Sequence, residues 1–154
     1  MGRRKEEPGI TLVELLVVVS LLTLMSAVAI PVFHQTGTWT LRAAATELAV
    51  RIREARQQAI ADGQNCYVIF YMANGMVKLE SSQGSEWVKL PQGITFAANN
   101  FPLVVDGRPT LYFRYTGAPN RGGHVALKNQ RGNKLYVIVT PVTGRVRTDS
   151  SPPQ

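Results

Sequence analysis

Ile10 to Phe33 reads ITLVELLVVVSLLTLMSAVAIPVF, 24 residues in which Glu14 is the only charge. At about 1.5 Å per residue a helix of this length covers roughly 36 Å, enough to cross the hydrocarbon layer of a bilayer. Residues 1–9, MGRRKEEPG, are hydrophilic, and the positive-inside rule places Arg3, Arg4 and Lys5 in the cytoplasm with the rest of the chain on the far side. A secretory signal peptide fits poorly, because its apolar segment is about 7–15 residues. This run continues past the small-residue pattern Ala27-Val28-Ala29 into Ile30, Val32 and Phe33. A plain single-pass anchor explains the length but not Glu14, since a carboxylate in lipid costs about 2.5–3.5 kcal/mol on insertion scales. Pro31 withdraws an N–H from the carbonyl of Ala27 and is expected to kink or locally melt the helix near the membrane exit. His34, just beyond, reads as a solvated interfacial residue.

The pattern then changes twice. Leu41, Ala45, Leu48, Ile52, Ala55 and Ala59 recur at spacings of four and three, one stripe of an amphipathic helix that Gly63 ends as a C-cap. Arg42, Arg51, Arg53 and Arg56 lie off the stripe, with Glu47 and Arg51 forming an i, i+4 pair. After Gly63 the period is two. Seven strands are expected: Cys66–Met72, Met76–Glu80, Trp87–Leu90, Ile94–Ala97, Leu111–Tyr115, His124–Lys128 and Leu135–Thr140, the first two joined at Asn74-Gly75. The sequence therefore predicts an α+β fold, a long N-terminal helix with a membrane-spanning first half, packed on a small antiparallel β-sandwich. Its expected divisions are a leader (1–9), a transmembrane helix (10–33), an amphipathic stem (34–62), a β-rich domain (63–147) and a flexible tail (148–154).

Charge and chemistry narrow the function. The net charge is +7; three of the 17 bases precede the span, and the other 14 lie on its C-terminal side. From Gly107 onward Arg108, Arg114, Arg121, Lys128, Arg131, Lys134, Arg145 and Arg147 face one acid, Asp149. The lone Cys66 excludes an internal disulfide and reads as a small buried hydrophobe. His124 has no Cys, Ser or second His at a telling spacing, and the acids do not cluster into a metal site. No enzyme, cofactor or small-molecule substrate is expected.

The leader, Gly9, the apolar run beginning at Ile10, Glu14 five places into that run and Pro31 resemble the prepilin signature of type IV pilins and type II secretion pseudopilins. Ile10 stands where many members have an aromatic residue. The resemblance implies cleavage after Gly9 by a membrane aspartyl prepilin peptidase and N-methylation of the new terminus at Ile10. Such cleavage creates a cationic amine one helical turn from Glu14, and that amine, or a neighbouring subunit's, lowers the cost of an ionised carboxylate in lipid. Glu14 and Pro31 are thus expected assembly residues. The order of one long helix followed by short strands resembles the GspH/FimT group of minor pilins and pseudopilins. Gly144-Arg145-Val146-Arg147, expected after the last strand, resembles that group's Gly-Arg-x-Arg motif, for which DNA binding during natural transformation is implied. Arg131 and Lys134 join Arg145 and Arg147 as the expected DNA-binding set, and Arg51 with Arg53 is expected to lie away from it. Two functions stay open: a subunit of a secretion pseudopilus or pilus-like filament acting in protein secretion, and a DNA-capturing minor pilin acting in DNA uptake. Both imply a single-pass inner-membrane protein with a cytoplasmic N-terminus and other pilins as partners.

Overall fold

The structure, a computed structural model, describes residues 11–153, with the backbone alone over residues 27–36. One helix, α1 (Leu12–Asp62), contributes to two compact units that divide between Thr36 and Gly37, and its helical backbone continues through Pro31. In the first unit Thr11 caps α1, its Oγ1 accepting the Glu14 N–H at 3.2 Å. The hydroxyls of Ser20, Thr23 and Ser26 donate to helix carbonyls, each at 2.8 Å, so these polar groups are satisfied inside the helix. Among the described residues no helix is long and apolar enough to cross a membrane. The expected span of 10–33 includes Ile10 and the side chains of 27–33, which lie outside them.

The second unit holds nine strands where seven are expected: β1 (Cys66–Tyr71), β2 (Met76–Ser81), β3 (Gly84–Lys89), β4 (Ile94–Asn99), β5 (Leu103–Val105), β6 (Arg108–Phe113), β7 (Gly123–Asn129), β8 (Lys134–Val139) and β9 (Val146–Asp149). They form a five-stranded sheet in the order β3-β2-β1-β6-β5 and a four-stranded sheet in the order β4-β7-β8-β9, with every pairing antiparallel. β9 runs two residues into the stretch expected to be a tail.

The stem stripe is buried throughout, and Ala44 and Ala49 widen it. It shares one core with Val68, Phe70, Val77, Leu111 and Phe113 of the first sheet and Val125, Leu127, Val137, Val139 and Val146 of the second. Phe70 links the sheets, stacked on Phe101 with centroids 5.6 Å apart and edge-on to Phe96 at 6.0 Å.

Gly63 takes a left-handed conformation (φ 65°) just past the helix end, as the C-cap reading requires. Asp62 then fastens that end to the β2–β3 turn, accepting from Ser82 Oγ, Gln58 Nε2 (3.0 Å) and Gln83 Nε2 (3.1 Å). The Ser82 hydroxyl, followed by Gln58, holds its carboxyl below the usual carboxylate range. Arg51 does not use Glu47 as its main partner: it pairs with Glu54 (3.1 Å) and, across to β3, with Glu86 (3.3 Å). Cys66 is buried, which pushes its thiol pKa up.

Candidate functional site

Gly9 and Ile10 lie outside the described residues, as does the side chain of Pro31. Glu14 sits exposed in the first turn of α1. There Thr11 and Glu14 occupy the first and last positions of a Thr-x-x-Glu capping pattern. That spacing is a signal in the sequence which the long apolar run around it conceals. Around Glu14 the apolar residues Leu12, Val13, Leu15, Leu16 and Val17 through Met25 are 49–71% exposed apart from Leu12 at 78%. Among the described residues of the first unit nothing covers them.

The four expected DNA-binding residues do not form one group. Asn129, almost fully buried, builds the β7–β8 turn: its Oδ1 accepts the N–H of Arg131 (3.1 Å) and of Asn133 (3.0 Å), while its Nδ2 donates to the carbonyl of Gly37 (3.2 Å). Arg131 and Lys134 are therefore fixed near the start of the stem. Arg145 and Arg147 flank the other end of β8, since Val139 pairs with Val146 and Ile138 with Arg147. The five residue steps of strand from Lys134 to Val139 span roughly 17 Å.

Gly144-Arg145-Val146-Arg147 closes the β8–β9 turn and opens β9, so it does not follow the last strand. Each of its residues has a distinct setting. Gly144 has φ 63°, and a Cβ there would stand 2.9 Å from the carbonyl oxygen of Gly117 and 3.2 Å from Arg56 Nε. Gly117 is left-handed too (φ 78°), and its carbonyl accepts from Arg56 Nε at 3.0 Å. The motif's glycine is thus needed where two turns press together against the stem. Val146 points into the core, and its carbonyl accepts from Arg53 Nη2 at 3.0 Å. Arg53 is consequently tied to the motif itself, against the expectation that it lies apart from it. Arg145 is exposed; Arg147 is exposed and held by Asp149 at 3.3 Å.

His124 stands beside Arg147's neighbour Ile138, with its ring against the edge of Tyr136 at 5.7 Å. Burial lowers its pKa. Among the described residues no group of three His, Cys, Asp or Glu side chains could hold a metal ion.

No protein-family model matches the chain, and no curated protein is significantly similar in sequence. Solved structures do resemble it. The minor pseudopilin EpsH of the type 2 secretion system of Vibrio cholerae superposes with a TM-score of 0.56 at 13% identity, over 70% of this chain and 94% of EpsH. The type IV minor pilin FimU of Pseudomonas aeruginosa gives a TM-score of 0.57 at 14% identity, over 74% of this chain and 92% of FimU. With its stem helix seated on two antiparallel sheets, the chain has the fold of the minor pseudopilins and type IV minor pilins.

Proposed function

We propose that this chain is a structural subunit of a pilin-like filament, a minor pilin or pseudopilin that takes part in protein secretion. The observation that carries the reading is the uncovered apolar surface from Leu12 to Met25. A patch of this extent marks a membrane or protein contact. Lipid before assembly and the helices of other pilins after it would cover it. The likeness of the fold to EpsH and FimU supports the same reading. On this view the span of residues 10–33 crosses the inner membrane with the N-terminus in the cytoplasm, and a prepilin peptidase acts at the Gly9-Ile10 bond. Co-expression with such a peptidase should give a chain whose intact mass lacks residues 1–9 and carries one added methyl group. Cleavage after Ala29 would end the pilin reading.

A second reading, DNA capture in natural transformation, is favoured by the exposure of Arg145 in the β8–β9 turn and of Arg147 at the start of β9, where it also pairs with Asp149. Guanidinium groups bind phosphates largely by counterion release, so the full-length chain in a non-ionic detergent should bind duplex DNA without sequence preference and weaken steeply as salt rises. Replacing both arginines by glutamine should flatten the salt slope by up to about 1.8, two phosphate contacts at about 0.9 each. Absence of binding by the wild type at low salt leaves only the secretion reading.

A further inference from the structure

The packing that explains Gly144 also brings bases to Arg145 from another part of the chain. The β6–β7 connection is a firmly built loop. Arg114 N–H donates to the carbonyl of Ala118 (2.9 Å) and Gly117 N–H to that of Arg114 (2.7 Å). Asn120 then ties the loop back to β6, accepting from Tyr112 N–H at 3.2 Å and donating to the carbonyl of Thr110 at 3.2 Å. This loop meets the β8–β9 turn twice. Gly117 abuts Gly144 at the stem. Further on, Gly122 lies so close to Pro141 that a Cβ would fall 2.4 Å from its Cγ and 2.7 Å from its nitrogen. Arg114, Arg121 and Arg145, all exposed, therefore share one end of the domain.

One acid does lie at this end of the stem, Asp62, two residues from the Ile60 against which Gly117 packs, and its carboxylate is taken up by Ser82, Gln58 and Gln83. After Gly63 there are four acids, Glu80, Glu86, Asp106 and Asp149. Each is paired with another base: Glu80 with Lys78, Glu86 with Arg51, Asp106 with Arg108 and Asp149 with Arg147. Asp106 is moreover at the opposite end of β6 from Arg114. The same two connections also present Tyr115, 63% exposed, and Val142, 84% exposed. Val142 has φ 66°. A β-branched residue in that region is an outlier, costing on the order of 1–3 kcal/mol, and such strain concentrates at functional sites.

We infer that this end of the domain is a duplex-DNA-binding face, in which Arg114 and Arg121 bind backbone phosphates beside Arg145, with Tyr115 and Val142 against the sugars. The inference rests on the DNA-capture reading and assigns it residues outside the Gly-Arg-x-Arg motif. Charge complementarity selects the occupant: three guanidinium groups with no acidic partner among the described residues suit a polyanion whose phosphates are closely spaced. The firm loop means that little order is lost on binding. Arg131 and Lys134 have no part in this face. They lie at the Gly37 end of the stem, about 28 Å from Arg56 at about 1.5 Å per residue.

The test measures anisotropy of a labelled, mixed-sequence double-stranded oligonucleotide with the full-length chain in non-ionic detergent, from about 50 to 200 mM salt. It compares the wild type with R114Q/R121Q, R145Q/R147Q and R131Q/K134Q, each first matched to the wild type in thermal melting. For R114Q/R121Q we expect affinity to fall roughly tenfold or more near 100 mM salt and the slope to flatten by about 1.8. R131Q/K134Q should stay within about threefold of the wild type. If R145Q/R147Q weakens binding and R114Q/R121Q does not, the inference fails while the DNA-capture reading stands. Equal losses in all three double variants mean bulk charge alone and overturn the inference. Wild-type chain that does not bind removes both. If R114Q/R121Q binds DNA normally but no longer enters filaments, the face belongs to a neighbouring subunit and not to DNA.

Discussion

Replacing Phe70 by alanine is expected to destabilise the domain by about 3–5 kcal/mol, the range for truncating a fully buried phenylalanine. Phe70 is 0% exposed and is the ring on which the two sheets meet. Its neighbours Phe101 and Phe96 come from the chain leaving β4 and from β4 itself, and neither can follow the missing ring without pulling a sheet edge inward. The lost aromatic contacts, about 0.5–1.5 kcal/mol each beyond burial, add to the transfer and cavity terms. For a domain of this size the midpoint of thermal unfolding should drop by roughly 10–20 °C. Leu103→Ala, at an exposed site on the edge strand β5, should shift stability by no more than about 0.5 kcal/mol. Similar midpoints for the two variants would mean that the sheets are not held together through the Phe70 cluster.

The stem was legible because its pattern is local. Spacings of three and four place Leu41, Ala45, Leu48, Ile52, Ala55 and Ala59 on one face whatever that face meets, and all six are buried. The strands were legible where apolar and polar residues alternate for several positions, and lost where they do not. β5 and the first three residues of β6, ahead of the expected strand Leu111–Tyr115, form the clearest omission, although the β5–β6 turn, Asp106-Gly107, has the dipeptide that suits a two-residue hairpin loop with both φ angles positive, here 49° and 66°. Pro109 hid it, since a proline argues against an inner strand. The structure removes the conflict: β1 pairs with β6 only from Thr110 onward, so Pro109 faces no acceptor on β1 that would need its missing N–H. β9 was missed because it is four residues long, with only Val146 fully buried.

The site was legible only as composition. Eight bases against one acid after Gly107 announce a basic segment, but linear density cannot say which bases share an end of the domain. That is decided by the contact of Gly117 with Gly144 and of Gly122 with Pro141, and by Arg53 reaching a carbonyl 93 positions away. One signal was available in the sequence: glycines at 117, 122 and 144 in two connections between strands, each of which proves to be a place where backbone meets backbone or side chain too closely for a Cβ.

Glu14→Ala and Glu14→Gln are both expected to insert into the membrane at least as well as the wild type and to enter filaments at least tenfold less. On the proposed reading the carboxylate enters the bilayer at a cost of about 2.5–3.5 kcal/mol on insertion scales. Its place in the first turn of α1 returns little of this, because an acidic side chain near a helix N-terminus contributes about 0.3–1 kcal/mol. The remainder, roughly 2 kcal/mol, corresponds to a factor of about 30 and calls for a cationic partner. The amine created at Ile10, from the same or an adjacent subunit, is the nearest that processing supplies. The two variants separate this role from capping. Glutamine keeps the Thr-x-x-Glu/Gln pattern that begins at Thr11 but has no charge, whereas alanine loses both. A chain held uncleaved by Gly9→Val should assemble as poorly as either, since its amine never forms beside Glu14. Fractionation of membranes and sheared filaments reads all three. Normal assembly of Glu14→Gln alongside failure of Glu14→Ala would assign the residue to the helix cap, and normal assembly of both would make the carboxylate incidental to the filament.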